Sequence, residues 1–385
     1  MAFPSLHDMA ATNSFLPFAK PFVDEATIEE VVKVLRSGWL TGGPKVLEFE
    51  AALSRYCGGR VVRTFNSATA ALSAALKLAG VVAGDEVVTT PLSWVSTANV
   101  ILELGARPVF VDIEYRTRNI DLHSVAEKIT PSTRALMPVD LAGLPVDREH
   151  LYGIAQAHGV RVIEDAAQSL GARWNGKLIG CSGDFVAFSF HANKNITTGE
   201  GGALVLPENA DAARCERLRL QGVQRFADGT MDVAELGAKA NLSDIAAAIG
   251  LGQLAQIAEI TRRRTKLAQD YFELLNSELG LDLPAADFEQ SNWHMFQVLL
   301  PHGVHRGRFI EAMKAEGIGV GVHFPAIHLF SLYRKLGYGP GDFPVAEDVG
   351  RRIVTLPLFP AMTKPDVQRV CDAVKRTMRA LRRVD

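Results

Sequence analysis

Three short segments of this sequence combine the residue types that chemistry needs with small residues that let a ligand come close. The first, RTFNSATAALSAAL, passes from an apolar run through small polar residues into a helical pattern. The backbone N–H groups of Ala68 and Thr69, with the hydroxyls of Ser67 and Thr69, would stand at the positive end of that helix, which suits a phosphate. Ser and Thr are also the usual helix caps, and on this segment alone capping is the simpler reading. The second, VRVIEDAAQSLGA, ends a buried apolar strand in Glu164 and Asp165, followed by two alanines. An acid there can cap the next helix; it can also hold a heterocyclic cation, because a carboxylate near a ring nitrogen raises that nitrogen's pKa. The third, FVAFSFHANKNITTGEGGALVL, confines Lys194 between an aromatic strand and a Thr-Thr-Gly-Glu-Gly-Gly turn. A lone lysine is normally solvated, and this is an odd setting for a surface charge. In a partly desolvated pocket a lysine loses its proton more readily and can form a Schiff base.

Phosphate cradle, strand-end carboxylate and enclosed lysine are complementary. Pyridoxal 5'-phosphate (PLP) needs all three, as anchor, as partner of its pyridinium nitrogen and as covalent link. A flat aromatic over the ring would complete the site, and PLSWVSTANVI offers Trp94 just past a strand. Trp94 can also be a core residue; its place at a strand's carboxyl end favours stacking.

The elements that must position these residues alternate. Short apolar runs at 61–65, 86–89, 108–112, 135–139, 160–164, 185–190 and 203–206 read as strands, with helices at 68–78, 95–104 and 147–158 among them. That alternation implies a largely parallel sheet covered by helices on both faces. Runs 185–190 and 203–206 have no helix between them, so one antiparallel strand is expected there. Ligands of such sheets bind outside the carboxyl ends of the strands. An amphipathic helix opens the ordered region with Ile28, Val31, Val32 and Leu35 on one face and Gly38 to end it. From about residue 261 the texture changes to a long helix over 262–279, a strand at 294–300, a helix at 306–316 and a last helix from Pro365 with Thr363 as N-cap. Residues 1–260 thus read as a large domain and 261–385 as a smaller α+β domain.

Composition narrows the class without naming it. Of 385 residues, 41 are Lys or Arg and 43 Asp or Glu, a formal net charge of -2, with 48% hydrophobic residues. These values describe an ordinary globular chain and argue against a partner held by phosphate-backbone charge. The runs Arg262–Arg264 and Arg382–Arg383 read as solvated helix ends rather than a nucleic-acid patch. Cys57, Cys181, Cys215 and Cys371 are far apart and form no CxxC pair, so reduced thiols are expected and no metal site. The opening segment carries Asp8 and lacks both a basic start and an apolar run, so neither a signal peptide nor a membrane span is read and the cytoplasm is expected.

GDEVVTTPLSWVSTANVI, VIEDAAQSLGA, FSFHANKNITTGEGGALV and KANLSDIAAAIGLGQL resemble the motifs of the DegT/DnrJ/EryC1/StrS sugar aminotransferases, fold-type-I enzymes that use PLP. The resemblance runs from about Phe15 to the final helix. FLPFAKP, SGWLTGGP, SWVSTAN and GVHFPAIH resemble the UDP-4-amino-4-deoxy-L-arabinose aminotransferase branch. It implies that Lys194 bonds the cofactor, Asp165 pairs with its pyridine nitrogen, Trp94 stacks on the ring and Gln168 approaches the phenolic oxygen. Ala68, Thr69 and Ser189 would hold the phosphate. Asn241 would reach the cofactor of a neighbouring subunit in a homodimer. Trp39 in the SGWLTGGP turn, Arg225 and His323 would line a sugar-nucleotide pocket, although His323 can equally be structural. The implied reaction is transamination of a UDP-4-keto-pentose with L-glutamate as donor. Another keto sugar nucleotide, such as a 4-keto-6-deoxyhexose, is the alternative substrate, and a PLP-binding regulator without turnover is the alternative class. Related 3-dehydratases carry His at the lysine position and are disfavoured by Lys194. One departure stands out: Asp140 occupies a place in PVDLAGLPVD where the family pattern leads one to expect His.

Overall fold

The computed structural model describes residues 15–207, 212–275 and 279–381. Asp8 and the rest of the opening segment, part of the expected helix 262–279, and Arg382–Arg383 lie outside the described residues. The centre is a seven-stranded sheet in the order Val62–Phe65, Gly202–Val205, Phe185–Ser189, Arg161–Asp165, Thr133–Met137, Glu86–Thr89, Arg107–Phe110. Gly202–Val205 runs antiparallel to both neighbours and the other six strands are parallel to one another. The strand without an intervening helix is thus the antiparallel one.

The strand sequences are apolar on both sides because both faces are covered. Val87, Ala135, Met137, Ile163 and Phe185 pack on one face against Leu72, Ala75 and Ile101 of the helices Ala68–Leu78 and Ser96–Glu103. Val88, Leu136 and Val162 point the other way, against Leu151 and Ile154 of helix Arg148–His158. A second core gathers helices Ile257–Leu274, Arg306–Ala315 and Lys364–Leu381 on the ribbon Phe296–Leu299/Ile353–Leu356. Thr363 precedes its last helix, and the Asp366 carboxylate accepts from both the Thr363 amide at 2.8 Å and the Thr363 hydroxyl at 2.7 Å. This is half of a capping box, with the Thr363 hydroxyl donating instead of accepting from a first-turn amide.

Two expectations shift. In helix Glu25–Ser37 the buried residues are Thr27 and Val34, whereas Ile28 and Leu35 are exposed. The helix packs through Thr27 on helix Asp244–Ala255, where a Cβ on Gly252 would lie 2.0 Å from Thr27 Oγ1. A small polar residue lies inward because the partner surface is a glycine, whereas of the expected stripe Val31 and Val32 are half-buried and Ile28 and Leu35 face out. The long helix begins at Ile257 rather than 262 and runs through residue 260 unbroken. Gln256 joins it to the preceding helix as a single C-cap, and neither Gly nor Pro marks the junction. Among the described residues no helix is long and apolar enough to cross a membrane.

Candidate active site

The residues singled out by sequence converge at one end of the sheet. Asp165 is the last residue of its strand and lies opposite Ala187; Ser189, two residues further along the neighbouring strand, lies opposite Gly202. Gly202 in turn lies opposite Phe65, after which the chain enters helix Ala68–Leu78. Gly202 is required by this geometry, since a Cβ on it would stand 2.4 Å from the Ala68 amide nitrogen. The strand edge and the helix N-terminus therefore touch. Ser67 is the N-cap, its hydroxyl accepting from the Ala70 amide at 3.1 Å. The capping reading is thus fulfilled, and the amides of Ala68 and Thr69 still have no partner among the described residues. First-turn amides at the positive end of a helix form an anion site.

Asp165 is buried. Its Oδ2 accepts from Thr97 Oγ1 at 2.7 Å and its Oδ1 from the Ala167 amide at 3.2 Å. Burial pushes this carboxyl up, opposed by those two hydrogen bonds and by the charge of Lys194. A cation brought against Asp165 would add to that opposition and favour the carboxylate.

Lys194 lies in the loop after Phe185–Ser189. Thr197 Oγ1 donates to the Phe190 carbonyl at 3.0 Å and accepts from the Gly199 amide at 2.8 Å, which pins this loop. The lysine is half-buried, and desolvation brings its pKa down to about 8, against the attraction of Asp165. His323 hydrogen-bonds Thr355 Oγ1 through Nδ1 at 2.9 Å. Its pKa falls to about 4 through burial and the lysine's charge, so the ring is neutral. The sign of the Lys194 shift gives a test. The neutral amine is the reactive form, so in cofactor-free protein the rate of Lys194 acylation should rise through pH of about 8. Peptide mapping after timed acetic-anhydride labelling measures it, and a midpoint above pH 10, that of a solvated lysine, is the contrary outcome.

Gln168 is buried, and its Oε1 accepts from the Ala142 amide at 2.9 Å. That leaves Nε2 without a partner among the described residues. Trp94 is 60% exposed beyond strand Glu86–Thr89, its ring 6.1 Å from that of Phe324. Asp140 is not free to serve a ligand. Its carboxylate accepts from Arg148 through both oxygens at 2.9 and 2.6 Å, from the Val146 amide at 3.0 Å and from Ser169 Oγ at 2.6 Å. Arg148 also pairs with Glu164 at 2.8 Å. The unexpected acid thus belongs to a buried ion cluster beneath the site, and its partner eight residues on explains its charge. Removing one member of a buried pair is costly: Asp140→Ala is expected to lower stability by about 3 kcal/mol, read as the shift in the urea unfolding midpoint.

Three candidates do not join this group within the chain. Trp39 is exposed, its indole packed on Gly43, where a Cβ would lie 1.6 Å from Nε1. Asn241 lies beside the same turn, with Nδ2 3.6 Å from the Cβ position of Gly42 and Oδ1 accepting from Lys239 Nζ at 2.5 Å. Arg225 is exposed on the small hairpin Val223–Arg225/Met231–Val233. Sequence reasoning passed over Thr97, which donates to the central carboxylate; its place three residues after Trp94 was the available signal. It also passed over Asn195, Asn292 and His294, which no spacing rule marks. Among the described residues no group of three or more His, Cys, Asp or Glu could hold a metal.

Comparison with known proteins identifies the family and the fold. The family model for DegT/DnrJ/EryC1/StrS aminotransferases matches residues 21–375. The chain is 38% identical to the UDP-4-amino-4-deoxy-L-arabinose–oxoglutarate aminotransferase of Shewanella sediminis, covering 94% of this chain and 98% of that protein. It is 39% identical to a spore coat polysaccharide biosynthesis protein of Bacillus subtilis, covering 94% and 97%. Among solved structures, a Streptococcus pneumoniae protein assigned as a sugar aminotransferase, in its PMP form, superposes with a TM-score of 0.90 at 30% identity, covering 95% of this chain and 100% of that one. A Helicobacter pylori aminotransferase of pseudoaminic acid biosynthesis superposes with a TM-score of 0.89 at 29% identity, covering 96% and 100%. With a family match over nearly its whole length and relatives of 38–39% identity covered almost end to end, this chain belongs to the DegT/DnrJ/EryC1/StrS aminotransferase family.

Proposed function

We propose that this enzyme is a PLP-dependent sugar aminotransferase that moves the amino group of L-glutamate onto the 4-keto carbon of a nucleotide sugar, a UDP-4-keto-pentose. The observation that carries the reading is the pairing of Lys194, with its pKa near 8, and the buried Asp165 beside the free amides of Ala68 and Thr69. Its cofactor is pyridoxal 5'-phosphate, and the residues fit that group. The helix N-terminus and Ser189 offer donors to a phosphate, Asp165 offers an anion to a ring cation, and Gln168 Nε2 is an uncommitted donor. The same cofactor forms appear in solved relatives, where the pneumococcal protein is found as PLP and PMP forms. When bound, the cofactor supplies an aldehyde for an amine and a ring that draws electrons from the carbon being deprotonated.

The chain's own residues do the rest. Lys194 Nζ attaches the cofactor while neutral and, once released, takes the proton from the donor's α-carbon as general base. Asp165 keeps a proton on the ring nitrogen. Trp94 bounds the pocket on the open side, His323 contacts the sugar nucleotide, and Trp39 and Arg225, which lie apart from the site within one chain, would contact it across a dimer. We assign the cofactor unit to residues 1–260 and the smaller unit to 261–385. The active form is a homodimer: Ile28, Leu35, Trp39, Leu40 and Leu47 form an exposed apolar set on the N-terminal helices and the turn beside Asn241, and a second copy would cover it. Asn241 would then reach the partner's cofactor.

The pentose reading rests on the 38% identity to the arabinose-branch enzyme. A 4-keto-6-deoxyhexose nucleotide is the second reading. Purified protein with L-glutamate and a panel of UDP- and dTDP-4-keto sugars separates them: 2-oxoglutarate should form fastest with the UDP-4-keto-pentose. Faster turnover of a hexose would move the assignment, and no turnover of any panel member would favour a binding protein.

A further inference from the structure

The segments that carry Gln168 and Lys194 meet on one fully buried residue, Asn292, the first through its side chain and the second through its backbone carbonyl. Its two Nδ2 hydrogens go to the carbonyls of Gln168 at 2.9 Å and Leu170 at 2.8 Å. Its backbone amide donates to the Gly143 carbonyl at 3.2 Å, and its Oδ1 accepts from the His294 amide at 2.9 Å. Its carbonyl accepts from Nδ2 of Asn195, the residue after Lys194, at 3.2 Å. Every donor of Asn292 is therefore committed, to two loops of the site, and its carbonyl accepts from the third, the lysine segment. Asn195 is fixed in turn, since its Nδ2 is used and its Oδ1 must face His294 Nδ1, at 3.2 Å.

The backbone is shaped around this contact. A Cβ on Gly143, whose φ is +91°, would fall 1.8 Å from Asn292 Oδ1. Ala142, whose amide holds the Gln168 side chain, has φ +57°, and Trp293 has φ +52°. Non-glycine residues seldom hold that conformation, and where they do the surroundings over-determine it, often at functional sites. Here Trp293 is buried and its amide is tied to Ser291 Oγ at 3.0 Å.

The geometry points to Asn292 as a positioning residue that sets Gln168 and Lys194 at one separation across the cofactor site. The inference rests on the roles given to those two residues above. Gln168 Nε2, donating to the cofactor's phenolic oxygen, withdraws charge from it and lowers the pH at which the lysine-bound cofactor gives up its proton.

The test is a pH titration of the visible absorption of PLP-loaded wild type, Gln168→Ala, Asn292→Ala and the double variant. Gln168→Ala should raise the midpoint by about one pH unit. Asn292→Ala should move it in the same direction, and the double variant no further than the larger single shift, because one residue acts through the other. Asn195→Ala leaves the Asn292 side chain in place, cuts the lysine segment's bond to the Asn292 carbonyl together with the contact to His294, and should also displace the midpoint, which keeps the test open if Asn292→Ala folds poorly. A wild-type midpoint in folded Asn292→Ala or Asn195→Ala, or additive shifts in the double variant, would overturn the inference. A wild type with no titrating visible band after loading would overturn the cofactor reading itself.

Discussion

Replacing Lys194 with alanine is expected to lower kcat/KM by at least about 10³-fold, with folding intact. In the proposed mechanism the effect is large because one side chain would do two jobs: its amine would capture the cofactor and would then move a proton at the donor's α-carbon. Neither Asp165 nor the two nearby histidines can replace it. His323, with a pKa near 4, stays neutral and is a poor base at pH 7, and burial holds His294 well below its ordinary range. Folding should survive, because the lysine's charge is a burden in the folded chain, as its pKa near 8 shows. The variant has a second signature. Lys194 helps to depress His323, so the His323 pKa should rise when the charge is gone. NMR titration of the ring protons reads that directly, and an unchanged His323 would mean that the two are not neighbours in solution.

Asp165→Asn is expected to split function from stability. The amide has the shape of the carboxylate and none of its charge, so in the proposed mechanism the ring nitrogen would lose the partner that keeps it protonated. Turnover should fall by about 10²–10³-fold, while Lys194 still captures the cofactor. The hydrogen bonds can be rearranged at small cost. Ser93 Oγ and Thr97 Oγ1 are 2.9 Å apart, so Thr97 can accept from the new amide and donate to Ser93. With burial opposing the charge in the wild type, the cofactor-free variant should melt within a few degrees of it. A variant that keeps wild-type turnover would remove Asp165 from the mechanism, and one that unfolds would make it a structural residue.

How much of this was legible in the sequence differs by residue. Strands and helices around the site were readable because parallel strands buried on two faces leave unbroken apolar runs, and their ends carry the polar residues. Helix 68–78 was found to the residue because Ser67 caps it. The first helix shows the limit. Ile28 and Leu35 have the spacing of a core face, but what faces them is settled by Gly252, more than two hundred residues away. Asp140 was visible as an anomaly, whereas its meaning needed Arg148 and Ser169 in three dimensions. Asn292 left no trace at all: its importance lies in which loops its amide joins, and no local pattern encodes that. Lys194 and Asp165 stood out in the sequence because each is a charge in an apolar setting, which costs folding energy.

The central claim is that Lys194 is the amine that holds PLP. Loaded protein should be reduced with borohydride, digested and mapped by mass spectrometry. A pyridoxyl-phosphate tag on Lys194, absent from Lys194→Ala, is the predicted result. A tag on another lysine, or one that persists in the variant, would contradict it.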